Sequence, residues 1–342
     1  MQPIAQQTFS AAEIVAAYPP KLVHPHKKLV YALACPAGRA HGGSLAVTRW
    51  AAGPLPALAE LLATEAPSTP AAATAIETAE RFFDYEAAPP GGRETIWHMN
   101  FADQRLFGYY GGPLLAQDEL QVAEHPVLAS LRQAMDDSDV PWMAPLASED
   151  GRRTPVLIRG IERRCRIATD PDAAAGRPQG LYGNRFSRAP ADVVERAVSV
   201  IDPPTITNLV AMEAPGYGRG AYSRAQIEDV LANALTGFRA ARLESVAAGA
   251  PAAVVHTGFW GCGAFGGNRT LMALLQVAAA RLAGVSRLVF HSIDRGGTNE
   301  FRGAVATLDE LAGSGGPRPA QIEQLVDRVV DRRYLWGQTD GN

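Results

Sequence analysis

Cysteine is scarce. Cys35, Cys165 and Cys262 are the only three in 342 residues, and they stand far apart with no CxxC pair. That argues against a disulfide framework and a zinc site, and it fits a reducing cytoplasm. An excess of one charge is missing too: 32 Lys and Arg against 35 Asp and Glu give a formal net charge of -3. Without a basic field, non-specific nucleic-acid binding is not expected. No eighteen consecutive apolar residues occur, and the opening "MQPIAQQTFSAAEIVAAYPP" has neither a basic n-region nor a long apolar h-region. Neither membrane insertion nor export is expected. Internal repeats and low-complexity tracts are lacking as well. What the chain does have is 47% hydrophobic content over a length sufficient for one large or two modest domains. A cytoplasmic monomer is expected.

Ser10 followed by Glu13 is a capping-box pattern, and Pro19 and Pro20 close the short helix it opens. "KLVYALAC" and "SLAVTRW" read as strands, "LPALAELLAT" and "PAAATAIETAERFFDYE" as helices. Residues 1–90 thus form a mainly helical N-terminal extension, broken off at "AAPPGGRE". From Thr95 onward, strand-like and helix-like runs alternate, as in a mixed α/β sheet flanked by helices. Ser223 with Gln226 caps a long helix. After a main domain spanning 91–305, residues 306–342 supply a linker, "LAGSGGPRP", and an amphipathic closing helix.

The densest signal is "HTGFWGCGAFGGNRTLMALLQ", where Gly258, Gly261, Gly263, Gly266 and Gly267 separate an apolar run from a helix whose natural N-cap is Asn268. Glycines lacking a β-carbon let backbone N–H groups curl round an anion while the helix's positive end points at it, so a phosphate or diphosphate is the expected guest. "GCGAFG" also satisfies the GxGxxG dinucleotide fingerprint, with Asp294 where a ribose-binding acid would stand, but no strand run follows Asp294 to complete such a fold. A P-loop lacks its Lys-Ser or Lys-Thr pair. His24, His26, His98, His256 and His291 read as hydrogen-bonded core or strand-end histidines. No metal and no cofactor are expected.

"TGFWGCGAFGGN", then "LMALLQVAAA" and "RLVFHSID", resembles the diphosphate-binding segment of the poly(ADP-ribose) glycohydrolases, a branch of the macrodomain fold. "VSVID" and "QIEDVLANALTGF" fall in that family's order upstream. The resemblance extends to "NFADQRLFGYYGGPLLAQDEL": sixteen residues after Phe101 comes the triplet Gln117, Asp118 and Glu119, at the family's spacing for its catalytic Gln-Glu-Glu.

The resemblance implies a macrodomain-like fold binding ADP-ribose, or an ADP-ribosylated protein or polymer, and cleaving the bond to the ribose anomeric carbon. It makes Glu119 the general acid/base and Asp118 its catalytic companion, with Gln117, Asn100 and Asp103 on the ribose side. Gly258, Trp260, Gly261, Cys262, Gly263, Ala264, Phe265, Gly266 and Gly267 would take the diphosphate, and Tyr182 would stack on adenine. Three departures stand out. Phe107, Gly108 and Tyr109 replace the family's glycine triplet, Gly111 and Gly112 come two residues late, and Ser292 falls where an aromatic ring is usual. A non-catalytic ADP-ribose reader and, more distantly, an NAD-dependent oxidoreductase are the competing readings.

Overall fold

The structure is a computed structural model; it describes residues 1–64, 73–85, 92–137, 144–313 and 316–341. In chain order the elements are β1 (Ala5–Ser10), α1 (Ala11–Ala17), α2 (Pro25–Ala34), β2 (Ser44–Arg49), α3 (Leu55–Thr64), β3 (Ala75–Ala79) and β4 (Glu94–Ala102). There follow α4 (Gln117–Glu124), α5 (Val127–Asp136), β5 (Ser148–Glu149), β6 (Arg152–Arg153), β7 (Val156–Ile167), α6 (Arg185–Arg188) and α7 (Ala191–Ala197). The chain closes with β8 (Val198–Glu213), α8 (Arg224–Ala247), β9 (Ala252–Gly258), α9 (Arg269–Ala283), β10 (Arg287–His291), α10 (Arg295–Ala312), a 3-10 turn at Pro319–Gln321 and α11 (Ile322–Asp331).

Eight strands form one mixed sheet in the order β1-β2-β7-β8-β4-β9-β10-β3. The β1, β2, β7 and β8 strands pair antiparallel, whereas β8, β4, β9, β10 and β3 run parallel. Parallel strands need both faces covered. On one face Trp97, Met99, Val255, Leu288 and Phe290 pack into a core with α3, α8, α9, α10 and α11. On the other, Val47, Val156, Ile158 and Leu209 pack with α1 and α5.

Period-two alternation fixes which residues share a face. With Trp97 and Met99 in the first core, His98 and Asn100 turn to the opposite side. His98 is paired directly with His256, and Gly258 with His291. Three histidines therefore line up across β4, β9 and β10.

The described residues of 1–90 hold three helices but also β1, β2 and β3; β1 and β3 are the two edges of the sheet and β2 lies beside β1. "KLVYALAC", read as a strand, is the last part of α2 and its C-cap Cys35, because His24 caps and Pro25 opens a helix that turns Lys27, Val30 and Ala34 inward. "AIETA", read as helical, is β3, a strand imposed by parallel pairing with β10 that local propensity does not reveal. Residues 70–72 and 86 of that expected helix lie outside the described ones. The caps at Ser10, Ser223 and Asn268 form as expected, each side chain accepting the N–H three residues on. Among the described residues no helix is long and apolar enough to cross a membrane.

Candidate functional site

Ligands of α/β sheets bind where loops leave the carboxyl ends of neighbouring parallel strands. Here the loops following β3, β4, β8, β9 and β10 enclose a cavity of about 870 Å³. That volume suits a ligand of nucleotide size.

Its floor is the glycine loop after β9. Gln276 of α9 anchors the entry by donating to the Gly258 carbonyl at 3.0 Å, and buried Trp260 donates from its indole to Met212 O at 3.0 Å. Gly261 adopts φ 72°, and a side chain there would collide with Ala214. Among the described residues, the N–H groups of Gly261, Gly263, Ala264 and Phe265 donate to no acceptor. Unpaired amides beside a helix N-terminus form an anion cradle.

Gly258, Trp260, Gly261, Cys262, Gly263, Ala264 and Phe265 line the cavity. Gly266 and Gly267 do not: Gly267 N–H closes the turn on Gly261 O at 2.8 Å, and Gly266 abuts Gly337–Thr339 of the C-terminal tail. The Cys262 thiol donates to Trp260 O, and burial raises its pKa, so it is no thiolate. Phe265 leans on Tyr217, their centroids 5.4 Å apart.

Opposite lies the first turn of α4. Asp118 and Glu119 are 7% and 4% exposed, and both line the cavity. Glu119 Oε2 accepts the Ala116 N–H at 3.0 Å, which fixes its rotamer. Burial raises the pKa of both carboxyls, with the Glu119 charge adding to the rise at Asp118. Two acids in one dry site do not both ionise readily.

Gln117 also lines the cavity, but its carboxamide is engaged with β4, accepting from Phe101 N at 2.8 Å and donating to Met99 O at 3.0 Å. Asn100 lies behind the wall, donating to Asp118 Oδ1 at 2.9 Å and Gln121 Oε1 at 2.8 Å. It orients Asp118. Asp103 lines the rim and accepts Arg105 N at 3.0 Å.

Tyr182 is brought to the carboxylate end, its hydroxyl accepting Gln117 N at 3.1 Å and its ring stacked on Phe82 at 5.6 Å. Of the two aromatics replacing the glycine triplet, Phe107 is buried in the core beneath α5, and only Tyr109 reaches the cavity. Gly111 serves a different purpose: its carbonyl receives Val23 and His24 N–H, and a side chain would strike Lys21 O. Ser292 is buried, 2.7 Å from Thr298 Oγ1, and Asp294 caps α10 by accepting Gly297 N at 2.8 Å. The acid expected of a dinucleotide fold is thereby engaged.

Sequence reasoning missed Lys27, Phe82, Tyr217 and Arg269. Lys27, 3% exposed on α2, has no hydrogen-bond partner for Nζ among the described residues. Burial lowers its pKa to about 8 against the opposing pull of Glu119 and Asp118. Arg269 lines the cavity with its guanidinium 3.7 Å from the Phe259 ring centroid and 3.2 Å from Glu300. A cation opening the helix that follows a glycine loop was a readable signal.

Residues 181–299 match the family described as poly(ADP-ribose) glycohydrolase (PARG), Macro domain fold. No curated protein matches the sequence. Among solved structures, the glycohydrolase from Thermomonospora curvata is 18% identical, over 87% of this chain and 97% of that one, with a TM-score of 0.43. The same protein bound to the inhibitor ADP-HPD is 17% identical over the same shares, with a TM-score of 0.44. The Deinococcus radiodurans enzyme in complex with ADP-ribose is 18% identical, over 77% of this chain and 94% of that one, at 0.41. Likenesses this remote leave the chemistry to this chain's own residues. Through the matched segment, which contains the entire glycine loop, the chain resembles the poly(ADP-ribose) glycohydrolase family with its macrodomain fold.

Proposed function

We propose that this protein is an ADP-ribosyl glycohydrolase. The carrying observation is that the N–H groups of Gly261, Gly263, Ala264 and Phe265 have no acceptor among the described residues and belong to the same cavity as a buried carboxyl pair whose pKa values are raised. The amides take the diphosphate of ADP-ribose, and Arg269 adds positive charge at the same end. The adjoining ribose then presents its anomeric carbon to Glu119.

Protonated Glu119 gives its proton to the departing oxygen as the bond to the anomeric carbon breaks. Its conjugate base next removes a proton from water, the hydroxide oxygen bonds to the anomeric carbon, and the carboxyl returns to its starting state. Burial of Glu119 supports the acid role, since it raises the pKa of the carboxyl and so favours the protonated form. Asp118, oriented by Asn100, lies on the sugar side as a hydrogen-bonding partner that steadies the reacting ribose.

Glu119→Gln tests this reading. Release of ADP-ribose from an ADP-ribosylated protein should fall by about 10²–10⁴-fold, the span for removing a general acid/base, while calorimetric binding of ADP-ribose stays within a few-fold. Wild-type protein that binds ADP-ribose but frees none from protein, polymer or nucleic-acid conjugates would make the chain a reader instead. Tighter binding of intact NAD than of ADP-ribose would overturn both.

A further inference from the structure

Beyond nucleotide binding, the three-histidine face of the sheet meets the loop after β3 at one corner of the cavity. One ring nitrogen each from His256 and His291 and one carboxylate oxygen of Asp84 lie within 4.8 Å of one another. We propose that Asp84, His256 and His291 form a binding site for a divalent first-row transition metal of the zinc type.

Four observations carry it. First, His291 Nδ1 lies 3.0 Å from the Arg81 carbonyl, which can only accept. The proton therefore sits on Nδ1 and the Nε2 lone pair faces inward, as in metal-bound histidines whose second nitrogen is held by a carbonyl. Second, His256 Nδ1 lies 2.9 Å from His291 Nε2. Two nitrogens on a tetrahedral zinc ion sit about 3.3 Å apart, so the nitrogens must part by about 0.4 Å and both rings turn until their lone pairs converge on the ion.

Third, Asp84 binds Arg81 Nε through Oδ2 at 2.6 Å, while Oδ1 is buried with no hydrogen-bond partner among the described residues. Arg81 holds the carboxyl in its charged form, and the oxygen left over lies beside two imidazole nitrogens as a further lone-pair donor. The Arg81 side chain is 56% exposed, so solvent screens its charge. Fourth, both ring nitrogens of His98 are buried without partners among the described residues, and its ring lies 4.6 Å from that of His256.

Binding moves the His256 proton from Nδ1 to Nε2, so no net proton is lost. Two imidazoles and one carboxylate are the donor set of open zinc sites. Asp84 and His291 both line the cavity, so the remaining coordination position opens into it.

The test needs no nucleotide, so its outcome is independent of the glycohydrolase reading. The full chain is treated with chelator, dialysed and titrated with Co²⁺, followed by visible absorption and competition with Zn²⁺. A saturable d–d band at one Co²⁺ per chain, displaced by Zn²⁺ but not by equimolar Mg²⁺, is expected. Asp84→Asn and His291→Gln should each weaken binding at least about tenfold. Zn²⁺ should raise the Tm of wild type and leave that of Asp84→Asn unmoved, which serves if His291→Gln fails to fold. Absence of a saturable band, a band unchanged in both variants, or displacement by Mg²⁺ overturns the assignment.

Discussion

Lys27→Met separates the electrostatics of the carboxyl pair from its packing. Lys27 is buried beneath Asp118 and Glu119, and its pKa falls from 10.5 to about 8 although both acids pull it upward. Desolvation therefore outweighs attraction. A drop of that size corresponds to roughly 3 kcal/mol of preference for the neutral amine. The folded pKa is below the unfolded one, so the group is neutral at no cost above 10.5, and its penalty grows as the pH falls toward 8.

Removing one member of a buried ion pair usually destabilises by stranding the other charge. Here the stranded groups are carboxyls whose pKa values are already raised by burial, and they escape by taking up a proton. Methionine fills the same volume without the charge. Lys27→Met should therefore be more stable than wild type at pH 7, by at most about 3 kcal/mol, with the gain vanishing as the pH approaches 10.5. Urea unfolding at several pH values measures it. The same change raises the Glu119 pKa further, so the alkaline limb of glycohydrolase activity should move to higher pH. A Lys27→Met protein less stable than wild type by a pH-independent amount would refute this, placing Lys27 among residues held by contacts rather than against its charge.

Gly261→Ala should cost at least about 1–2 kcal/mol of stability, from the left-handed backbone alone, and weaken ADP-ribose binding by calorimetry. Unchanged affinity would remove the glycine loop from the ligand site. His125 is fully buried, and burial lowers its pKa from 6.5 to about 3. Its contribution is present above pH 6.5 and is lost as the pH falls below it, because the unfolded chain then binds a proton the folded one refuses. Wild type should accordingly lose up to about 1.4 kcal/mol per pH unit that His125→Gln does not, and equal slopes in denaturant midpoints between pH 6.5 and 4.5 would contradict this.

The parts of this molecule legible in its sequence are those encoded locally. The N-caps at Ser10, Ser223 and Asn268 need only neighbours three residues away, and the glycine loop needs only its spacing after β9. Pairing is different. AIETA looks helical until β10 offers it a parallel partner, and nothing in 73–85 announces that Asp84 will meet two histidines 172 and 207 residues later. Lys27 was hidden for a related reason: a lysine on an amphipathic helix ordinarily snorkels to water. Packing of α2 against the first turn of α4 and against Phe186 buries it. Period-two alternation does put His98 and His256 on a common face once β4 and β9 are known to be neighbours, so the histidine row was within reach of strand order. Local pattern thus located the glycine loop, while the charges that tune the opposing carboxyls were set by contacts between distant segments.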